Sequence, residues 1–113
     1  MTSELPNTQW LTIPELVEVL GQSQSQVRRL IEDNALAAVR IDGILKVPAV
    51  FISEGEPVHE LKGTIVLLRD CGFNDDELVE WLLSEEESLG TTPIQALLAG
   101  RKTEVRRIAQ ALL

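Results

Sequence analysis

Two helix-start signals in quick succession, with a glycine between them, constrain this chain more than any other feature. Thr12-Ile13-Pro14-Glu15 is a T-x-x-E capping box, in which each of the two side chains accepts a backbone N–H that the first helical turn leaves free. Leu11 is placed to staple against Leu16, and Pro14 falls in the first turn, where a missing N–H costs nothing. Ile13, Leu16, Val17 and Leu20 follow helical spacing and make one apolar face. Gly21 then tolerates the left-handed backbone that ends a helix. Ser23 and Gln26 open a second box, S-x-x-Q, and Val27, Leu30 and Ile31 supply the inward stripe of the helix that follows.

Two short helices joined by a tight turn are a helix-turn-helix. At about 100° per residue, Ser25, Arg28, Arg29 and Glu32 point outward from the second helix, with Gln26 on the flank. In such a motif the N-terminal half of that helix faces the major groove of DNA. Directly downstream, Ala38-Val39-Arg40-Ile41 and Ile44-Leu45-Lys46-Val47 flank Asp42-Gly43, the strongest short signal for a β-hairpin, and Pro48 stops the second strand. A hairpin in that place is a wing, with Arg40 and Lys46 near its tip. The expected fold is mostly α: a winged helix-turn-helix over residues 10–53, followed by a C-terminal helical bundle over residues 54–113. Residues 1–9 read as a flexible tail, and the 38–47 hairpin as the only β-structure.

In the C-terminal part, "SEGEPVHE" reads as a polar connection and Leu61 to Cys71 as a buried helix closed by Gly72. Asn74 with Glu77 caps the second helix of this part, which carries Leu78, Trp81 and Leu82. Thr92-Pro93 starts the third, with Ile94, Leu97 and Leu98. The last helix, from Lys102 to Leu112, places Val105, Ile108, Ala109 and Leu112 on one face.

Charge argues against a nucleic-acid partner, because the chain carries a net −8. Its distribution softens the objection: from Gln22 to Phe51 there are four bases, Arg28, Arg29, Arg40 and Lys46, against three acids. Such a surface predicts modest, salt-dependent affinity. The four aromatics, Trp10, Phe51, Phe73 and Trp81, are too few for a platform that stacks single strands. Cys71 is the only cysteine, which excludes an internal disulfide and suits a reducing cytoplasm. The opening MTSELPNTQ has neither a basic nor an apolar signal region, and no apolar run is long enough for a membrane span, so a cytoplasmic location is expected.

No catalytic pattern emerges. His59 between Glu56 and Glu60 lacks a second histidine or cysteine at ligand spacing, so no metal is expected there. Asp75, Asp76 and Glu77 suit a helix N-terminus, and no phosphate loop or nucleophile elbow is present. The chain reads as a non-enzyme without a cofactor. Cys71 reads as a small buried hydrophobe, and Arg101, Lys102, Arg106 and Arg107 as structural charges facing Glu85–Glu87 or a helix C-terminus.

The order of capping box, short helix, glycine turn, polar-fronted helix and D-G wing resembles the excisionase and MerR-type winged helix-turn-helix. "LRDCGFNDDELVEWLL" looks like the helix pair that follows the wing in that group. More closely, "AAVRIDGILKVPAVFI", "LRDCGFNDDELVEWLL" and "TPIQALLAGRKTEVRRIAQAL" resemble, in the same order, a small actinobacterial family of winged-helix DNA-binding proteins with a C-terminal helical region. That resemblance implies sequence-specific or architectural binding of double-stranded DNA, without catalysis, by a transcriptional regulator. The candidate DNA-binding residues Gln22, Ser25, Gln26, Arg28, Arg29, Arg40 and Lys46 come from the helical and wing geometry. Two further partners are expectations of a different kind. Thr8, just before the first helix, is a candidate phosphorylation site for a Ser/Thr protein kinase, since phosphate there would oppose DNA contact. Residues 92–113 are similar to the helical region of antitoxins, which makes a protein-interaction module the alternative reading.

Overall fold

The computed structural model describes residues 8–112. Strand β1 (Trp10–Thr12) leads into helix α1 (Ile13–Leu20), and α2 (Gln24–Glu32) follows after a turn. Strands β2 (Val39–Ile41) and β3 (Ile44–Pro48) form the wing, and one 3-10 turn (Ala49–Phe51) leads to a second hairpin, β4 (Ile52–Ser53) and β5 (Glu56–Pro57). Four helices complete the chain: α3 (Leu61–Asp70), α4 (Asp75–Leu83), α5 (Pro93–Leu98) and α6 (Lys102–Gln110). The architecture is mostly helical, a winged helix-turn-helix followed by helices, as the sequence pattern implies.

Local chemistry sets the helix ends. Both halves of the capping box are formed at Thr12/Glu15, at Ser23/Gln26 and at Asn74/Glu77. Gly21 adopts φ 65°, and its N–H and that of Gln22 both return to the Val17 carbonyl, at 3.0 and 3.3 Å. This closure leaves the chain only Gln22 and the cap Ser23 before α2 begins, so the two helices pack directly on each other. At the wing tip Asp42 and Gly43 have φ 54° and 80°, the paired left-handed geometry of a tight hairpin turn.

Two expectations about β-structure are corrected. The 38–47 hairpin is not alone, because β1 pairs antiparallel with β3 (Trp10↔Pro48, Leu11↔Val47, Thr12↔Lys46) and makes β3 the central strand of three. Three residues are too few to show alternation, so the strand is silent in the sequence. The connection "SEGEPVHE" also folds back on itself: Ile52 pairs with Pro57 and Ser53 with Glu56 around Glu54 and Gly55, both at positive φ. Glu is an unusual residue for that backbone, and Pro57 at an edge gave no strand signal. Of the expected tail, residues 1–7 lie outside the described residues, while the Gln9 carbonyl accepts the Ala49 N–H at 2.9 Å.

The buried side chains form a single cluster. It runs from Ile13, Leu16 and Val27 through Leu36, Val39, Val47 and Phe51 to Leu61, Leu68, Leu82, Ile94 and Val105. Leu36, Ala37, Ala38 and Val39, the link from α2 to the wing, are all buried. Two smaller expectations shift. Cys71 is only half-buried, its thiol directed at the Ala109 carbonyl at 3.6 Å, and Leu112 lies past the end of α6 and is exposed.

Candidate nucleic-acid interface

Helix α2 buries Val27 completely and half-buries Leu30 and Ile31, so its other side is fixed toward solvent. Gln24, Ser25, Gln26, Arg28, Arg29 and Glu32 are exposed there. Neither the Arg28 nor the Arg29 side chain makes an ion pair or a hydrogen bond among the described residues, although Glu32 and Asp33 stand four positions on. Both guanidinium groups therefore keep their donors available for an outside acceptor.

The polar residues at the start of α2 are less equivalent than their spacing suggests. The Gln26 side-chain oxygen accepts the Ser23 N–H at 2.9 Å, and the Ser23 hydroxyl accepts the Gln26 N–H at 3.2 Å. While this box is intact, the Gln26 oxygen is turned to its own helix start, which competes with the paired donor-acceptor contact that reads adenine and leaves the amide NH2 free to donate. Ser25 has its hydroxyl 3.3 Å from that of Ser23. Gln22 is half-buried in the turn, not on the helix. Gln24, which the outward-face reading passed over, stands at the first helical position, exposed and one turn before Arg28. The signal was its i, i+4 relation to Arg28.

The wing separates its two cations. Register pairs Arg40 with Leu45 and Lys46 with Val39, and directly opposed residues share a sheet face, so Arg40 and Lys46 lie on opposite faces. Arg40 is exposed, and its guanidinium donates to the Gly43 carbonyl at 3.4 Å, which holds it against the turn. Lys46 is half-buried and sits in the field of Glu15. That carboxylate is held below its ordinary value, first by the Thr12 N–H, then by the Thr12 hydroxyl, with Lys46 a smaller cause. Ile44, beside the turn, is about half exposed.

Of the four C-terminal basic residues, Arg101 and Lys102 have carboxylate partners, while Arg106 and Arg107 are exposed without an ion pair among the described residues, Arg107 in the last turn of α6. Arg101 pairs with Glu104 at 2.9 Å and Lys102 with Glu60 at 3.2 Å, rather than with Glu85–Glu87, because α6 packs alongside α3. Arg106 lies over Gly63 of α3, its Nη2 3.2 Å from where a Cβ on Gly63 would stand. His59 is exposed and pairs with Glu60. Among the described residues no group of His, Cys, Asp and Glu is placed to hold a metal ion, and no helix is long and apolar enough to cross a membrane.

Residues 4–52 match the family described as DNA-binding protein Rv2175c, wHTH domain, and residues 58–113 match the Rv2175c C-terminal domain of unknown function. The DNA-binding protein Rv2175c of Mycobacterium tuberculosis is 32% identical over 120 residues, spanning 95% of this chain and 82% of that protein. The NMR structure of Rv2175c superimposes with a TM-score of 0.85, at 32% identity and the same coverage. A winged helix-turn-helix and a C-terminal helical region in this order, over nearly the whole length, place the chain in the Rv2175c family.

Proposed function

We propose that this chain binds double-stranded DNA with α2 in the major groove and the wing against the backbone, and that it regulates transcription by doing so. The observation that carries the reading is the pair of unengaged arginines, Arg28 and Arg29, on the one exposed face of α2 in a chain of net charge −8. Isolated cations of this kind are favoured where they meet phosphate or guanine. The family name supports the same partner.

In this reading Arg29, Ser25 and Gln24 approach base edges, with Gln22 and Gln26 as donors at the margin of the face. A well-formed bidentate contact from Arg29 to guanine contributes roughly 1–3 kcal/mol of discrimination. Arg28, Arg40 and Lys46 neutralise phosphates, Arg40 more effectively than Lys46 because Glu15 already faces the latter. The test is duplex binding by fluorescence anisotropy at several salt concentrations. Loss of Arg28 or Arg40 should reduce the salt slope by about one each. Arg29→Ala should instead relax sequence preference at one base pair. Folded wild type that binds no duplex even at low salt, or variants indistinguishable from it, would sink the assignment.

One observation favours a second activity: Leu98 of α5 is 41% exposed beside the acidic β4–β5 hairpin. A protein partner of residues 92–113 would seat there, with DNA binding secondary.

A further inference from the structure

The C-terminal helices touch the winged helix-turn-helix mainly through apolar packing, which is strong but not directional. Among the described residues only one side-chain hydrogen bond joins residues 8–52 to residues 58–112: the Arg69 Nε–H donates to the Asn34 Oδ1 at 2.8 Å. Asn34 follows Asp33, the cap residue at the end of α2, and adopts the left-handed conformation at φ 65°. The N–H groups of Ala35 and Leu36 return to the Leu30 carbonyl, at 2.9 and 3.2 Å, so Asn34 is the corner of the closing turn. The same guanidinium donates through Nη2 to Asp75 at 2.8 Å, at the first position of α4. A planar guanidinium held by two acceptors has a fixed orientation. Arg69 therefore ties the end of α2 to the start of α4 from its own place on α3.

We propose that Arg69 is a positioning residue for DNA recognition, and that through it the C-terminal region sets the rotation and depth of α2. This rests on the reading that α2 enters the major groove. Base readout requires side chains held to within roughly 0.5 Å and 10–20°. Apolar packing alone leaves a short helix more freedom than that, whereas a charge-assisted hydrogen bond at its end is directional. The function assigned to the C-terminal region is then that of a frame for the reading helix.

The test uses the full chain. Asn34→Gly removes the acceptor but keeps a backbone conformation that glycine adopts freely, and Arg69→Met keeps the apolar stem without the guanidinium. Affinity is measured for the duplex that wild type prefers from a random pool and for a scrambled duplex, at several salt concentrations. Each single variant should lose about three- to tenfold on the preferred duplex, with the scrambled duplex and the salt slope unchanged. The double variant should lose no more than Arg69→Met alone, because both changes break one link. If Arg69→Met does not fold, Asn34→Gly decides alone. Folded variants that bind like wild type overturn the inference, as does an equal loss on both duplexes or a salt slope reduced by about one for Arg69→Met. Wild type that binds no duplex refutes the groove reading itself.

Discussion

Arg28 and Arg29 owe their availability to what lies under them. Val27 is fully buried, so the helix cannot roll to bring either arginine inward without exposing it. The neighbouring amides are more committed: Gln26 serves its own helix start, and Gln22 belongs to the turn. Thr8 is half-buried directly before Gln9, whose carbonyl is bonded to Ala49, and so sits at the base of the wing's sheet, not at its tip. A negative charge there acts on DNA over distance. Thr8→Glu is expected to weaken duplex binding at low salt and to approach wild type as salt is raised, since the screening length falls to about 10 Å at 0.1 M. Anisotropy titrations at two ionic strengths would show it, and equal affinity at the lower one would count against a role for Thr8.

The first helix carries a charged version of its cap. Glu15 has its carboxyl held below an ordinary value of 4.5 by the Thr12 N–H and hydroxyl. A depressed carboxylate contributes stability that is present above its unfolded value and is lost as pH falls through the folded one. Glu15→Gln keeps an acceptor for the Thr12 N–H but has no charge to lose. The variant should be the less stable protein near neutral pH, and the difference should close below 4.5, as urea unfolding at stepped pH would reveal. The starts of α1, α2 and α4 were legible because both partners of a capping box lie within four residues. The D-G turn was legible for the same reason. Strand β1 was not, since Trp10–Thr12 acquires its identity from Lys46–Pro48, far along the chain. The E-G hairpin was missed because its turn residues are atypical and its strands hold two residues each. Of the candidate interface, the exposed arginines followed from periodicity. The separation of Arg40 from Lys46 followed only from register, and the Arg69–Asn34 link, 35 residues apart, left no local trace.

Across the whole molecule one apolar cluster serves both family regions, with Leu36 and Val39 contributed by the first and Leu61, Leu68 and Leu82 by the second. The chain should therefore unfold as one unit. Its two tryptophans test this without added probes, because Trp10 lies in β1 and Trp81 in α4. Trp10→Phe and Trp81→Phe each leave a single reporter. Within either variant, fluorescence and circular dichroism should give coincident urea transitions. A midpoint reported by Trp10 well below that of the helices would mean that the winged region melts separately.

The pairing of β1 with β3 also orders events during synthesis. β1 leaves the ribosome before both helices of the turn, and the strand that receives it leaves after them. Helices α1 and α2, of 8 and 9 residues, are marginal in isolation, and the sheet waits for a long loop to close, a contact made slowly. Until then Trp10 and Leu11 present an unpaired apolar edge to the crowded exit. A nascent chain from which Pro48 has not yet emerged should for that reason lack the wing's sheet and be open to chaperones at its first strand.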